Sequence, residues 1–247
     1  FQVYVSSEND AMIPLFQNDG TNVFNPAFAE PNVLIVNTEK LDELGITVEG
    51  YADLLQPELK GKIIAADPAN SSSAFQSLIG MLYGMGNGDP MSDEAWNFID
   101  EFLVNLDGKV ASSSSQVYNG VASGEYCVGL SYEDPCVELQ AAGEYPVKVV
   151  YAKEGTIFSG QSIQIVKDAP HLEAAQKFVD YVLSEKVQTA VAAELNLRPL
   201  RSGIPVNDKM IPNEDIKLFD TYSAAYIAEN KPEIVNTYLE HVEMMME

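Results

Sequence analysis

The fold of this chain is decided by residues 62–73, which read KIIAADPANSSS. The apolar run over 62–66 predicts a buried strand, and apolar side chains recur at helical spacing from Ser72 to Met85. Between them, a proline, an asparagine and three serines make a tight connection. A strand that leads directly into an amphipathic helix is the building unit of an α/β fold, so the sequence predicts that class.

The same alternation of strand and helix continues on both sides of this stretch. It is typical of an α/β fold with a mainly parallel sheet. Ser92 is a predicted N-cap for the helix that follows it. Further strands are predicted at 33–36, 126–131, 147–151 and 161–167, and helices at 50–55, 93–106, 115–123, 135–142, 171–195 (in two pieces), 214–229 and 232–244.

The composition excludes several classes of function. The chain has 247 residues, with 14 Lys+Arg against 37 Asp+Glu and a formal net charge of −23. This acidity disfavours nucleic acid and anionic membrane surfaces as partners, because both need a basic protein surface. Two Cys and two His are too few for a four-Cys zinc site or for His-rich metal catalysis, and no apolar run approaches the roughly 20 residues of a membrane span. We expect no resident metal, no cofactor and no enzymatic activity, because no nucleophile elbow, phosphate-binding loop or His-centred motif is present.

The two cysteines, Cys127 and Cys136, leave two interpretations open. An oxidising compartment outside the cell would allow the thiols to form a disulfide. Their positions in a predicted strand and in the following helix favour two buried thiols instead.

Two serine clusters stand immediately before predicted helices. The first turn of a helix carries backbone N–H groups without intrahelical acceptors and the positive end of the helix dipole, and hydroxyl groups add donors. Two such ends directed at one crevice would bind a phosphate, phosphonate, sulfate or carboxylate without any Lys or Arg. Simple capping is the alternative, although one helix needs only one N-cap side chain. The predicted ligand-binding serines are Ser71, Ser72, Ser73, Ser112, Ser113, Ser114 and Ser115.

Several stretches, spread over nearly the whole chain, carry a family resemblance. They are PNVLIVNT at 31–38, YADLLQPELKGK at 51–62, AADP at 65–68, GVASGEY at 120–126, GLSYEDP at 129–135 and AAQKFVDYVL at 174–183. In this order they resemble ABC-transporter solute-binding proteins, in the group that contains ferric-iron, phosphonate and sugar-phosphate carriers.

The resemblance implies the type II periplasmic-binding fold, in which two α/β lobes joined by crossing strands close by a hinge on a ligand between them. It implies no enzymatic reaction. A protein of this kind captures a small-molecule solute outside the cytoplasm, in the periplasm or as a cell-surface lipoprotein, and presents it to the permease of an ABC importer. A ligand-sensing effector domain of the same fold is the alternative.

The chain departs from the family at its first residues. Family members begin with a strand–helix–strand segment of several dozen residues, and residues 1–5 align downstream of it. We therefore expect the first lobe, residues 1–28 with 156–202, to be incomplete, to expose apolar surface and to allow self-association. The second lobe is predicted at 29–155, and C-terminal helices over 203–247 are predicted to pack on the lobes.

The chemistry of the solute is predicted from the residues after the strand at 126–131. Ferric-iron carriers of this family use a pair of adjacent tyrosines, whereas this chain has Tyr132 followed by Glu133 and no Tyr–Tyr pair. The serine clusters favour a small anionic solute that bears a phosphate or phosphonate, with ferric iron or another small solute as the alternative.

Three further residues are candidate ligand contacts, each with a structural alternative. Glu133 would accept hydrogen bonds from hydroxyl or ammonium groups, or serve as an acid at a helix N-terminus. Tyr132 would stack on the ligand, or lie buried at the end of a strand. Arg198 would bind an anion through two parallel hydrogen bonds, or satisfy the last carbonyl groups of a helix.

Overall fold

The computed structural model describes residues 1–246 and divides the chain into two compact units. Unit 1 contains residues 1–30 and 158–215, and unit 2 contains residues 31–157 and the chain from 216 onward. The chain thus passes three times from one unit to the other. The segment 203–247, predicted as a separate C-terminal part, is divided between the two units at 215/216.

Strands and helices alternate through most of the chain, which confirms the α/β class. The strands are β1 (Asn25–Asn37), β2 (Ile63–Ala66), β3 (Val110–Ala111), β4 (Val128–Tyr132), β5 (Val147–Val150), β6 (Phe158–Ile163) and β7 (Arg198–Pro199). The helices are α1 (Thr38–Leu44), α2 (Ser72–Met85), α3 (Asp93–Leu106), α4 (Ser114–Ala122), α5 (Glu133–Ala142), α6 (Leu172–Leu183), α7 (Glu185–Glu194) and α8 (Ala224–Met246).

Unit 2 is built on a sheet with the strand order β3-β2-β4-β1-β5. β2 runs parallel to β3 and β4, whereas β1 runs antiparallel to β4 and β5. The prediction of a mainly parallel sheet is therefore wrong. β1 brings the chain from unit 1 into unit 2. It enters the sheet at the end where the parallel strands finish, because Asn32 lies opposite Tyr132, the last residue of β4. It therefore runs antiparallel to its neighbours.

The core of unit 2 lies between the sheet and helices α2, α3 and α8. α2 and α3 occupy the predicted ranges, and Ser92 is the N-cap of α3, where its Oγ accepts a hydrogen bond from the backbone N–H of Ala95. Apolar side chains at helical spacing are buried along both helices, as amphipathic patterning predicts. They include Phe75, Leu78, Ile79 and Leu82 of α2 and Ala95, Ile99, Phe102 and Leu106 of α3.

The C-terminal part contains one long helix instead of the two predicted at 214–229 and 232–244. α8 continues through Pro232. A proline inside a helix removes a backbone hydrogen bond and crowds the preceding turn. Ile227, Ile234 and Tyr238 continue one buried stripe on both sides of the proline, and their packing against the unit 2 core offsets that cost.

Unit 1 is smaller. β6 pairs with β1, and β7 pairs with β1 at Phe28 and Ala29. The helix predicted in two pieces over 171–195 is confirmed as α6 and α7. The N-terminal segment is held to α6 by Asp180, which accepts hydrogen bonds from Tyr4 Oη at 2.9 Å and Ser6 Oγ at 2.7 Å. Apolar side chains of the N-terminal segment, β1, α6 and the segment after β7 contribute to the core. Fully buried among them are Met12, Ala27, Val179, Leu183 and Leu200.

Two smaller observations complete the fold. Cys127 and Cys136 are both buried and free, which confirms the interpretation of two buried thiols. Among the helices of residues 1–246, none combines the length and the apolar character needed to cross a bilayer.

Candidate functional site

Three parallel strands of unit 2 end side by side, and a polar segment and a helix follow each of them. Ala66 of β2 pairs with Ala111 of β3, and Ile64 of β2 pairs with Gly129 of β4. α2 and α4 begin shortly after β2 and β3, and α5 begins directly after β4. Because the carboxyl ends of parallel strands share one edge, the N-termini of these three helices lie at that edge, where open α/β sheets bind ligands.

The position of α4 depends on a glycine in the neighbouring strand. A Cβ atom at Gly129 of β4 would lie 2.8 Å from Val117 Cγ1 and 3.0 Å from Val121 Cγ2, both on α4. Only glycine therefore allows this close approach, and a larger residue would displace α4 together with its N-terminus.

The first serine cluster combines a cap with open donors. Ser71 is the N-cap of α2, its Oγ accepts a hydrogen bond from the N–H of Ala74 at 3.4 Å, and it lies 3.1 Å from Ser73 Oγ. Ser72 is exposed at the first helical position. The capping alternative is thus correct for Ser71, while the N–H groups of Ser72 and Ser73 stand at the open end of the helix.

The second cluster has the same arrangement at α4. Ser113 is the N-cap, its Oγ accepts from the N–H of Gln116 at 3.4 Å, and it lies 3.0 Å from Ser115 Oγ. The backbone N–H and the hydroxyl of Ser112 donate to Gln116 Oε1 at 2.9 and 3.0 Å. The N–H groups of Ser114 and Ser115 occupy the open end of the helix, as at α2.

The start of α5 has acidic character. Tyr132 occupies the N-cap position without a capping hydrogen bond from its side chain, and Glu133 and Asp134 form the first turn. Glu133 is only 2% exposed, and the hydroxyl of Tyr151 donates a hydrogen bond to its Oε1. Its carboxylate is therefore fixed in place at the helix end.

A buried asparagine joins two of these elements. Asn32 of β1 is 3% exposed, and its Nδ2 donates to Ser73 O and to Ser77 Oγ, both at 3.2 Å. The backbone carbonyl oxygen of Asn32 accepts a hydrogen bond from Thr156 Oγ1 at 2.9 Å. Since Asn32 also pairs with Tyr132 in the sheet, it holds the first turn of α2 against the end of β4. The sequence interpretation missed this residue, although an amide directly before an apolar strand run was a usable signal.

Aromatic rings and carboxyl groups meet beside the start of α5. The rings of Tyr118 on α4 and Tyr132 lie edge to face, with centroids 6.5 Å apart. Burial, with Glu133 and Glu138 nearby, raises the pKa of Asp134 to about 6. Burial also raises the pKa of Tyr118, and the charge of Asp134 adds to the effect.

The edge of the sheet where β2, β3 and β4 end therefore has one half with hydrogen-bond donors and one half with hydrogen-bond acceptors. The helix ends at α2 and α4 supply N–H and hydroxyl donors, and the start of α5 supplies carboxylate acceptors and aromatic faces. In the part of the chain that the structure describes, no group of three or more His, Cys, Asp or Glu side chains could hold a metal ion. Nine of the ten predicted contacts lie along this edge of unit 2: Ser71, Ser72, Ser73, Ser112, Ser113, Ser114, Ser115, Tyr132 and Glu133.

The tenth predicted residue, Arg198, belongs to unit 1. It is fully buried, and its Nη1 donates to Ile211 O at 3.0 Å and to Asn213 Oδ1 at 2.6 Å. Its guanidinium carbon also lies 5.7 Å from the centroid of the Phe158 ring. These contacts give Arg198 a structural role within unit 1, and its contact with a ligand stays a prediction.

Comparison with known sequences places this geometry in context. A family model described as "Bacterial extracellular solute-binding protein" matches residues 2–230. The spermidine/putrescine-binding periplasmic protein of Escherichia coli (strain K12) is 31% identical over 185 residues, which cover 71% of this chain and 51% of that protein. The chain spans about half the length of the curated relatives it matches.

Solved structures share the fold over almost the whole chain. The periplasmic binding protein AfuA from Actinobacillus pleuropneumoniae, with exogenous fructose-6-phosphate bound, has a TM-score of 0.83 at 24% identity and covers 98% of this chain and 76% of its own. A two-component system protein that mediates signal transduction has a TM-score of 0.75 at 25% identity, over 98% and 76%. The predicted type II periplasmic-binding fold is thereby confirmed.

Proposed function

Because this chain belongs to the family of bacterial extracellular solute-binding proteins, we propose that it captures a small solute and delivers it, chemically unchanged, to the permease of an ABC importer. The protein would act outside the cytoplasm, in the periplasm or as a lipoprotein at the cell surface. The hinge closure that the family resemblance predicts is part of this proposal.

The solute in this proposal carries a phosphate or phosphonate group, which binds at the N-termini of α2 and α4. The observation that carries the proposal is that two serine-bearing helix ends lie at the same sheet edge of a chain with a net charge of −23. Helix dipoles and N–H groups attract an anion locally, where the overall charge of the protein repels it. Several charge-assisted hydrogen bonds, each contributing about 1.5–3 kcal/mol, suffice for a micromolar Kd, which corresponds to about −8 kcal/mol.

The acidic start of α5 selects the rest of the solute. The carboxylates of Glu133 and Asp134 accept hydrogen bonds and repel a second anionic group. A phosphate ester with hydroxyl or ammonium groups therefore fits better than inorganic phosphate. Tyr118 and Tyr132 supply aromatic faces for the organic part of such a solute.

Two other functions have support of their own. The relative named for spermidine and putrescine, together with the acids at α5, supports a cationic solute. The similarity to a protein of signal transduction supports a ligand-sensing domain on the same fold. Ferric iron, the alternative solute from the sequence, would have to bind without the adjacent tyrosines of iron carriers.

The proposal is tested by titrating the protein, purified without denaturation, with glucose 6-phosphate, inorganic phosphate, putrescine and ferric citrate in a calorimeter. We expect glucose 6-phosphate to bind most tightly. Ser72→Glu should weaken it at least about tenfold, because the new carboxylate repels the phosphate although an acid at this position favours the helix itself.

A matched control separates this local effect from a general effect of charge. Asn119→Glu adds the same charge at an exposed position late in α4 and should leave the affinity unchanged. Tighter binding of putrescine than of glucose 6-phosphate, strengthened by Ser72→Glu, would establish a cation carrier instead. Equal affinity of both variants for glucose 6-phosphate would refute the assignment of the anion to the α2 terminus.

Self-association through unit 1 is a further part of the proposal, supported by an exposed apolar face. The antiparallel bridge between Gln2 and Ile165 puts Phe1 opposite Val166, and Val3 follows Phe1 on the same face of the extended segment. Phe1, Val166 and Val3 are 67%, 64% and 48% exposed. Sedimentation velocity over a range of concentrations should show a dimer that Val3→Gln weakens. A monomer at every concentration would contradict this part.

A further inference from the structure

The exposed apolar side chains of unit 2 are concentrated in one place outside the candidate site. Of the seven large apolar side chains exposed in the described part of unit 2, four line a single groove. The groove has a volume of about 510 Å³. Its exposed members are Val104 at the end of α3, Val110 of β3, and Leu239 and Met245 of α8. A concentration of this kind marks an interaction site.

The walls of the groove are fixed before any partner arrives. His241 of α8 stacks on Trp96 of α3 with ring centroids 5.0 Å apart, and its Nδ1 lies 2.5 Å from Asp100 Oδ1. The buried side chains of Ile234 and Tyr238 hold the same helix on the core. Binding in this groove would therefore require little rearrangement of the protein.

The shape of the groove favours a helix as its occupant. Two helices, α3 and α8, form its sides, and the ridges of a third helix pack between two neighbouring ones at about 8–10 Å from each. Strand addition is the other mode by which a polypeptide docks at a sheet edge. β3 is an edge strand of only two residues, which is too short for that mode.

The acidic side chains around the groove favour a partner helix with basic side chains. Asp67 and Asp107 line it, with Lys60 as the one basic lining residue among those described, and Glu243 follows Val242 of the lining on α8. A second copy of this chain has 14 Lys+Arg against 37 Asp+Glu, so its helices offer few basic side chains to an acidic rim. A helix with Lys or Arg beside its apolar stripe complements both the apolar floor and the acidic rim.

We propose that this groove is a docking site for a basic amphipathic helix of another protein, with apolar anchors spaced i, i+3 or i+4, and i+7. The site lies entirely within unit 2 and does not depend on which solute the protein carries. It adds a polypeptide partner to the small-molecule function proposed above.

The test uses a fluorescent peptide of about four helical turns, with Leu at the anchor positions and Lys at the others, titrated in anisotropy measurements against the full chain. A scrambled peptide of the same composition, without an apolar face, measures the attraction of basic peptides to an acidic protein. We expect the helical peptide to bind at least about tenfold more tightly than the scrambled one at physiological salt.

Variants of the chain then locate the binding. Val104→Gln and Leu239→Gln should each weaken the helical peptide at least about fivefold, because each removes an apolar contact without adding charge. Tyr145→Gln is the matched control, an exposed apolar side chain of unit 2 outside the groove, and should leave binding unchanged. Unchanged emission of Trp96, the only tryptophan, would verify that each variant keeps the α3–α8 packing.

Two results would overturn the proposal. Equal binding of the helical and scrambled peptides, or no effect of Val104→Gln and Leu239→Gln, would show attraction by charge alone. Dimerisation of the wild type that either variant abolishes would assign the groove to a second copy.

Discussion

The two units of this chain are stabilised in different ways. Unit 2 has an extended apolar core around Leu78, Ile99 and Phe102, and side chains cap its helices α1 to α4. Unit 1 has a smaller apolar cluster, and neither α6 nor α7 has a capping hydrogen bond from a side chain. It relies on buried polar groups, above all Gln188 and Arg198, which are fully buried.

The larger apolar core and the capped helices of unit 2 suit it to hold the candidate site. A close-packed core holds three helix ends at fixed positions at the end of the sheet, as a preorganised binding site requires. In unit 1 the buried side chains of Gln188 and Arg198 donate their hydrogen bonds to groups of the same unit. Arg198, the one cation predicted to bind the ligand, donates its hydrogen bonds to Ile211 and Asn213.

The largest effect is expected from a cavity in unit 2. Phe102→Ala should lower the free energy of unfolding by about 3–5 kcal/mol, because Phe102 is 2% exposed in the core. Trp96 lies in unit 2 and is the only tryptophan, so urea unfolding followed by its fluorescence measures this unit. Val104→Ala, on the exposed side of the same helix, should change the midpoint little. Equal effects of the two variants would contradict the assignment of the core.

Replacement of a buried polar side chain should likewise destabilise unit 1, by a somewhat smaller amount. Gln188 Nε2 donates to Ala27 O at 3.0 Å and to Val182 O at 3.1 Å, and its Oε1 accepts from the N–H of Leu200 at 3.0 Å. Gln188→Leu keeps most of the volume but leaves these buried backbone groups unpaired, which should cost about 2–4 kcal/mol.

The loss should appear in circular dichroism, with the Trp96 transition changed less. The exposed neighbour Thr189 supplies the control variant Thr189→Ala. A shift of the Trp96 transition as large as that of the circular dichroism would show that the two units unfold as one.

Loss of a serine side chain at a helix start should lower the free energy of unfolding in unit 2 by about 1 kcal/mol and leave that of unit 1 nearly unchanged. Ser71→Ala removes the side-chain cap of α2 in unit 2 and should destabilise it by about that amount. Ser184→Ala replaces the residue before α7 in unit 1, whose hydroxyl does not cap α7 and donates only an exposed hydrogen bond to Tyr181 O, and should stay within about 0.5 kcal/mol. Thermal unfolding of both variants tests the contrast, and equal losses would refute it.

Asp180 in unit 1 and Asp134 in unit 2 should make stability depend on pH in opposite directions. Burial opposes ionisation of Asp180 in unit 1, but hydrogen bonds from Ser6, Tyr4 and Ser7 outweigh it and hold its pKa below the usual range. Its contribution is present above the unfolded pKa and is lost as the pH falls. The pKa of Asp134 in unit 2 is raised to about 6, so its contribution is present at acidic pH and is lost as the pH rises through 6.

Two isosteric variants test these signs. Asp134→Asn should raise the melting temperature at neutral pH and change it little near pH 4, close to the unfolded pKa of about 3.9. Asp180→Asn should lower the melting temperature at neutral pH and reduce the loss of stability on acidification. The same sign of change for both variants at neutral pH would contradict the two pKa directions.

Local patterns predicted much of this fold and part of the site. The strand, serine cluster and helix over 62–85 were predictable because apolar spacing and capping are local properties of a sequence. The direction of β1 in the sheet could not be predicted from local patterns, because it depends on where the chain crosses between the units. Pro232 predicts a boundary between two helices, and this prediction is wrong because the packing of Ile227 and Tyr238 on a distant core cannot be read from the local sequence.

The candidate site also contains residues that the sequence predicted and residues that it did not. The serines were found because a helix start has a sequence signature. Asn32, Tyr118 and Tyr151 were missed because their roles arise from contacts between residues far apart in the chain. The burial of Arg198 was missed for the same reason, since its partners follow it by 13 and 15 residues.

Amide NMR tests most directly whether the anionic group of the solute binds at the helix ends of unit 2. Glucose 6-phosphate is added to isotope-labelled protein, and the backbone N–H resonances of Ser72, Ser73, Ser114 and Ser115 are followed. We expect downfield shifts of these four resonances, because their N–H groups would bind phosphate oxygens, with little change at α6 and α7 of unit 1. Shifts confined to unit 1, or no shift at the four serines at saturating ligand, would contradict it.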